Sequence, residues 1–180
     1  MPTILSHPAV PLAIGIAAGS RIVPARLLFA GMIASVLPDL DVVAFRLGIG
    51  YSHEWGHRGA SHSLVFALLL AVMALVVAPR LRIRPCVAFS FVFAAAISHG
   101  LLDMLTTGGL GVALLWPFTD ARFFFPIQVI EVSPLSLRRF FGQPGVAALT
   151  SELIWIWAPA VVATASAYVI RYAMETRCGE

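Results

Sequence analysis

Residues 87–105 read VAFSFVFAAAISHGLLDML. A helix needs about 20 consecutive apolar residues to cross the hydrocarbon of a bilayer, with a working range of about 17–25. This run meets that length. Two ionisable side chains interrupt it, His99 and Asp103. Four residues apart, they share one face of a helix. An ionisable group inside a membrane helix costs at least about 2.5–3.5 kcal/mol on insertion scales, so residues retained there mark functional sites. The stretch therefore predicts a membrane helix and places reactive groups on it.

Four more apolar stretches surround it. Residues 64–79 (LVFALLLAVMALVVAP) are uninterrupted but slightly short, and residues 146–170 are long enough and carry one charge, Glu152. Residues 8–20 and 27–37 are each too short to span alone. Extending the second through Asp41 to Phe45 gives it the length but brings carboxylates into the span. The composition agrees: 59% of residues are hydrophobic and 12% charged, and mean hydropathy is +0.91. So few charges could not cover the surface of a soluble domain of 180 residues. The expected fold is all-α, a multi-pass transmembrane bundle of about 4–5 helices forming a single domain over residues 1–180. The N-terminal MPTILSHPAV lacks the basic region of a signal peptide, so the spans themselves are expected to direct insertion.

All 12 basic residues are arginine and none forms a patch with interleaved aromatics, which argues against nucleic-acid binding. The two cysteines, Cys86 and Cys178, lack metal-ligand spacing and read as passive thiols. Placing Arg80, Arg82 and Arg84 in the cytoplasm, as the positive-inside rule favours, threads the chain so that Arg21, Arg26, Arg171 and Arg177 are also inside. His7, Asp39, Asp41, His53, His57, His62, His99 and Asp103 then fall near one membrane face, the outer one. Reversing the orientation moves them together. The convergence requires residues 8–20 and 27–37 each to cross most of the bilayer.

The polar connection 38–63 carries the rest of the chemistry. In PDLD, Asp39 and Asp41 share a face if the segment is extended, and Pro38 stiffens it. In HRGASHS, Gly59 permits a tight turn that brings His57 and His62 together, and Ser61 or Ser63 can cap the helix beginning near Leu64. Arg58 between the histidines suits an oxyanion or phosphate clamp. Glu54 is a candidate general base, and His53 a weaker ligand candidate. Histidine and carboxylate ligands without thiolates suit zinc, with manganese or iron as alternatives. So many ligands exceed one tetrahedral site and favour two or more ions, a set suited to phosphoester hydrolysis by an activated water. Residues 106–145 form a long Gly/Pro-rich aromatic loop, and its WPFTDARFFF segment reads as an interfacial element that could guide lipid.

The blocks LPDLD, GHRGASHSL, SHGLLDMLTTGG and LLWPF followed by RFFFPI, in this order and spacing and together with His7, resemble the YdjM-type membrane-bound metal-dependent hydrolases. The resemblance covers residues 7–135. It implies a bacterial inner-membrane protein with hydrolase activity, distantly similar to zinc-dependent phospholipase C and the S1/P1 nucleases. It further implies that His7, Asp39, His57, His62, His99 and Asp103 are metal ligands or their immediate support, and that Asp41 and Arg58 support them or face substrate. Thr106 and Arg122 also lie in family blocks. Family members often carry a histidine where this chain has Val42, and a threonine where it has Ser61. The expected activity is hydrolysis of a lipid or lipid-linked phosphoester at the periplasmic face; the oligomeric state stays open. The rival readings are a metal transporter or sensor, with the lack of polar groups along 64–79 and 146–170 weighing against transport, and a scaffold in which metal only holds helices together.

Overall fold

The computed structural model describes residues 1–134 and 136–177; Cys178 lies outside them. The described chain is all-helical, with two isolated β-bridges, Thr106 to Ile130 and Val112 to Phe123, in the long loop. A short helix, α1 (Ala9–Ala18), precedes four helices long and apolar enough to cross a membrane: α2 (Ala25–Arg46), α3 (Leu64–Leu81), α4 (Pro85–Met104) and α5 (Gln143–Met174). At about 1.5 Å per residue, the 10 residues of α1 reach only half of the hydrocarbon thickness. The second apolar stretch does extend through the carboxylates, and α2 is one helical run of 22 residues.

That run changes pitch at Pro38. Proline has no N–H to donate back along the helix, and Leu37–Val42 winds into a tighter 3₁₀ turn before helical geometry resumes at Val43–Arg46. The expectation of an extended PDLD segment is therefore corrected. Asp39 and Asp41 project from a tight helical turn towards different partners. The start of α3 follows the predicted logic: the Ser63 hydroxyl accepts the Phe66 N–H at 3.1 Å and donates to the Ala60 carbonyl at 2.7 Å.

The helix α4 is the axis of the bundle, with α3 along one side and α2 along another. Its inward positions are largely small (Ala88, Ala95, Ala96, Ser98 and Gly100 are all buried), which lets neighbouring backbones approach. Phe91 and Val92 fill the remaining space against Val23, Leu27, Ala34 and Ala67. The outer face of α3, with Leu69, Met73 and Val76 exposed, is the surface a lipid tail would cover. The short α1 leans on α5, where the Arg171 guanidinium donates to the Ile16 and Ala17 carbonyls at 3.2 and 2.8 Å. Those carbonyls lie at the helix end, which lacks internal partners.

The tightest approach between α2 and α4 is at Gly31, where an added Cβ would run into the Phe91 ring. Gly31→Val is expected to destabilise the bundle by about 1–3 kcal/mol through overpacking, read as a lower unfolding temperature in detergent. Combining it with Phe91→Leu should restore part of the loss; no recovery in the double variant would locate the strain elsewhere.

Candidate metal centre

Four elements deliver the polar residues to one end of the bundle. His99 and Asp103 come from the last turns of α4, Asp39 and Asp41 from the 3₁₀ turn in α2, His57 and His62 from the connection before α3, and His7 from the segment before α1. Ligand atoms of Asp39, His62, His99 and Asp103 lie mutually within 4.8 Å. His99 Nε2 is 3.5 Å from Asp39 Oδ1, and His62 Nε2 is 3.4 Å from Asp103 Oδ2. The His7 ring stacks on His99 at 3.7 Å between centroids, with its Nε2 3.5 Å from Asp39 Oδ2. His7, Asp39, His62, His99 and Asp103 are all 3% exposed or less.

Hydrogen bonding fixes which nitrogens point inward. The His99 Nδ1–H donates to the Ser35 carbonyl at 2.7 Å, and a carbonyl can only accept. His62 Nδ1 lies 3.1 Å from Asp41 Oδ2. Both rings therefore turn Nε2 into the cluster, and these two nitrogens are 2.9 Å apart. Both oxygens of Asp39, both oxygens of Asp103 and both ring nitrogens of His7 are buried without a hydrogen-bond partner. Buried polar atoms are rarely left so. Every one of these carboxylate oxygens and inward-facing nitrogens can offer a lone pair to a cation, and the donor set fits zinc, manganese or iron.

The electrostatics agree. Burial drives the His7 imidazole down to about 3, helped by the neighbouring His99, so it is a neutral lone-pair donor. Burial also opposes charge on His62, but the Asp103 and Asp41 carboxylates outweigh it and carry that ring up to about 9. The carboxylates thus call for positive charge at the centre of the cluster.

A second group, Asp41, His57 and His62, shares His62 with the first. Asp41 accepts from His57 Nδ1 at 2.6 Å, from the Ser61 hydroxyl at 2.7 Å and from the Arg58 backbone N–H at 3.2 Å. It holds two imidazoles in orientation, as a carboxylate behind metal-bound histidines does.

Arg58 has no exposed surface. Its Nε sits 3.0 Å from Asp103 Oδ2, and its terminal nitrogens donate to Thr106 Oγ1 at 2.7 Å and to the Gly108 and Leu110 carbonyls at 3.1 and 3.0 Å. The structure thus turns it inward as a brace for Asp103, where the sequence pointed to a clamp for an incoming anion. Arg58, rather than Gly59, takes the left-handed backbone of the turn, at φ 62°. Arg122 donates to the His57, Gly111 and His53 carbonyls, tying the two long loops together. Glu54 and His53 stand apart from both ligand groups. They line a separate polar cavity of about 330 Å³ with Trp116 and Asp120, and the Trp116 indole N–H donates to Glu54 at 3.2 Å.

Three contributors had no signal in the sequence reading or only a faint one. Ser35 acts through its backbone carbonyl, which no side-chain pattern reveals. Ser61 acts as a donor to Asp41. Glu152, the lone carboxylate of α5, is 1% exposed and accepts from the Thr3 N–H, the Thr3 hydroxyl and the Ser6 hydroxyl. It fixes the segment that presents His7.

A helical membrane bundle that holds a buried His/Asp cluster at one end defines a class of membrane protein with a candidate metal centre. The family model of the YdjM inner membrane proteins matches residues 1–176, and the chain belongs to that family. It is 45% identical to the inner membrane protein YbcI of Escherichia coli strain K12 over 163 residues, covering 90% of this chain and 94% of YbcI. It is 37% identical to the inner membrane protein YdjM of the same organism over 118 residues, covering 61% of this chain and 55% of YdjM, and matches YdjM of Shigella flexneri equally. No solved structure matches it.

His99→Ala and Asp103→Asn are each expected to lose bound metal while keeping helix content, as measured by elemental analysis and circular dichroism of the purified protein. Asp41→Asn, which removes the charge behind two histidines, should weaken metal binding by about 10–100-fold without abolishing it.

Proposed function

We propose that this chain is a membrane-embedded metal-dependent hydrolase that cleaves a lipid or lipid-linked phosphoester. The observation that carries this reading is the set of buried acceptor atoms on Asp39, Asp103 and His7 that take part in no hydrogen bond, together with the inward Nε2 atoms of His62 and His99. Asp39, His62, His99 and Asp103, with His7 alongside, hold the cation. Zinc is the leading candidate, and the adjoining Asp41, His57 and His62 group supports more than one ion. A bound divalent cation supplies Lewis-acid polarisation of the ester and activation of a water. The chain's own residues supply the rest. Asp41 holds the His57 and His62 rings in place, Arg58 orients Asp103, and the Ser35 carbonyl sets the His99 tautomer. The distant resemblance expected between this family and zinc-dependent phospholipase C and the S1/P1 nucleases favours phosphoester chemistry over other hydrolysis. A non-catalytic metal staple draws on one specific observation, the near-complete burial of the four ligands.

The deciding assay is phosphate-ester turnover by purified protein in nanodiscs loaded with zinc, across phosphodiester and phosphomonoester lipids. Chelator-sensitive turnover is expected, falling by more than about 100-fold in His99→Ala and Asp103→Asn. A protein that loses thermal stability on chelation yet turns over none of these esters is a metal staple.

The bias of arginines supports a cluster at the periplasmic face of a bacterial inner membrane. With Cys178 replaced by serine, a cysteine at exposed position 53 should react with an impermeant thiol reagent in intact cells, whereas native Cys86, also exposed and at the opposite end of α4, should not. The opposite labelling pattern reverses the orientation.

A further inference from the structure

A groove of about 600 Å³ runs beside the metal cluster, a volume within the range of about 300–1,000 Å³ usual for small-molecule sites. Its walls include Ile4, Leu5, Val42, Phe45 and Phe140 on the apolar side, with Asp39 and Arg46 as its charged side chains. We propose that this groove seats the hydrocarbon chain of an anionic phosphoester lipid, with Arg46 holding the charged headgroup against the Asp39 side of the cluster. The proposal rests on the phosphoester reading for the headgroup's chemistry and adds where the chain lies and which residue selects for charge.

Three observations fix the occupant. First, the groove is continuous with the site, because Asp39 belongs to both and its two oxygens accept no hydrogen bond among the described residues. Second, its charge is complementary to an anionic amphiphile. Arg46 is exposed and makes no ion pair among the described residues. A neutral lipid would leave Arg46 unused, and a free phosphoester would leave the apolar walls unused. Third, the groove lies where a lipid chain can enter. Val42, Phe45 and Arg46 are on the final turns of the membrane helix α2. On the other wall Ile4 and Leu5 are 48% and 63% exposed, although their segment is anchored by the Thr3 and Ser6 bonds to Glu152 and by the Ser133 N–H to the Met1 carbonyl at 3.0 Å. Apolar side chains held firmly and left uncovered are suited to meeting an apolar ligand.

The test uses the metal-loaded full chain in nanodiscs and a phosphonate analogue of phosphatidic acid, which cannot be hydrolysed, bearing a photoreactive diazirine on one acyl chain. Labelled peptides are mapped by mass spectrometry, and bound metal is measured in every variant. The expected result is label on Leu5, Phe45 or Phe140. Arg46→Gln should reduce this label by about tenfold, as loss of a charge-assisted contact does, while a matching diacylglycerol probe labels the groove weakly and equally in both proteins. Leu5→Trp, at an exposed position, should narrow the groove and suppress label from the charged probe with metal content unchanged. Label confined to the outer face of α3, or groove label insensitive to both substitutions, overturns the proposal. Because the probe cannot turn over, groove labelling in a protein that hydrolyses no ester sinks the hydrolase reading alone. Hydrolysis with label elsewhere sinks the groove alone.

Discussion

The contact between Arg58 and Asp103 organises this end of the molecule. Two opposite charges lie 3.0 Å apart with neither side chain exposed. Burying such a pair carries a desolvation cost of several kcal/mol per ion, recovered only when the remaining donors and acceptors are satisfied. The loop is shaped to satisfy the donors, since Thr106, Gly108 and Leu110 give their oxygens to the guanidinium, while the Asp103 oxygens are left to the cluster. Arg58 also holds its backbone in the left-handed region, a conformation that costs an ordinary residue about 1–2 kcal/mol. The same turn sets His57 and His62 on either side of Asp41. One buried ion pair therefore couples the end of α4, the connection before α3 and the long loop after α4.

Asp103 contributes in two directions at once. One side of its environment is the guanidinium; the other is the cluster, where Oδ2 lies 3.4 Å from His62 Nε2. Asp39 has no such arginine; it faces the imidazoles of His7, His99 and, at 4.0 Å, His62. The two carboxylates thus sit in unequal fields, Asp103 beside a guanidinium and Asp39 beside imidazoles.

Much of this was readable in the sequence, for identifiable reasons. The i, i+4 spacing of His99 and Asp103 in an apolar run admits one geometry, a shared helix face, and the structure has it. Ser63 as a cap follows from local chemistry. The conformation of PDLD was not legible, since a proline followed by alternating acids is compatible with both an extended turn and a 3₁₀ turn. The direction of Arg58 was hidden for a related reason: an arginine beside histidines serves an anion from outside or a carboxylate from inside, and only the position of Asp103 decides. Ser35 contributes a main-chain oxygen, which is the same for every residue type. Glu152 stood out as the one charge in the last span, but its partners are 146 and 149 residues away, beyond the reach of any local pattern.

That separation has a bearing on biogenesis. Residues 1–7 are synthesised before α5, yet the carboxylate that anchors Thr3 and Ser6 is on α5. Until that helix inserts, His7 has no fixed station and the cluster is open on that side. The order of translation thus makes closure of the site wait on α5, and a chain arrested before that helix would present the other ligands without sealing them in.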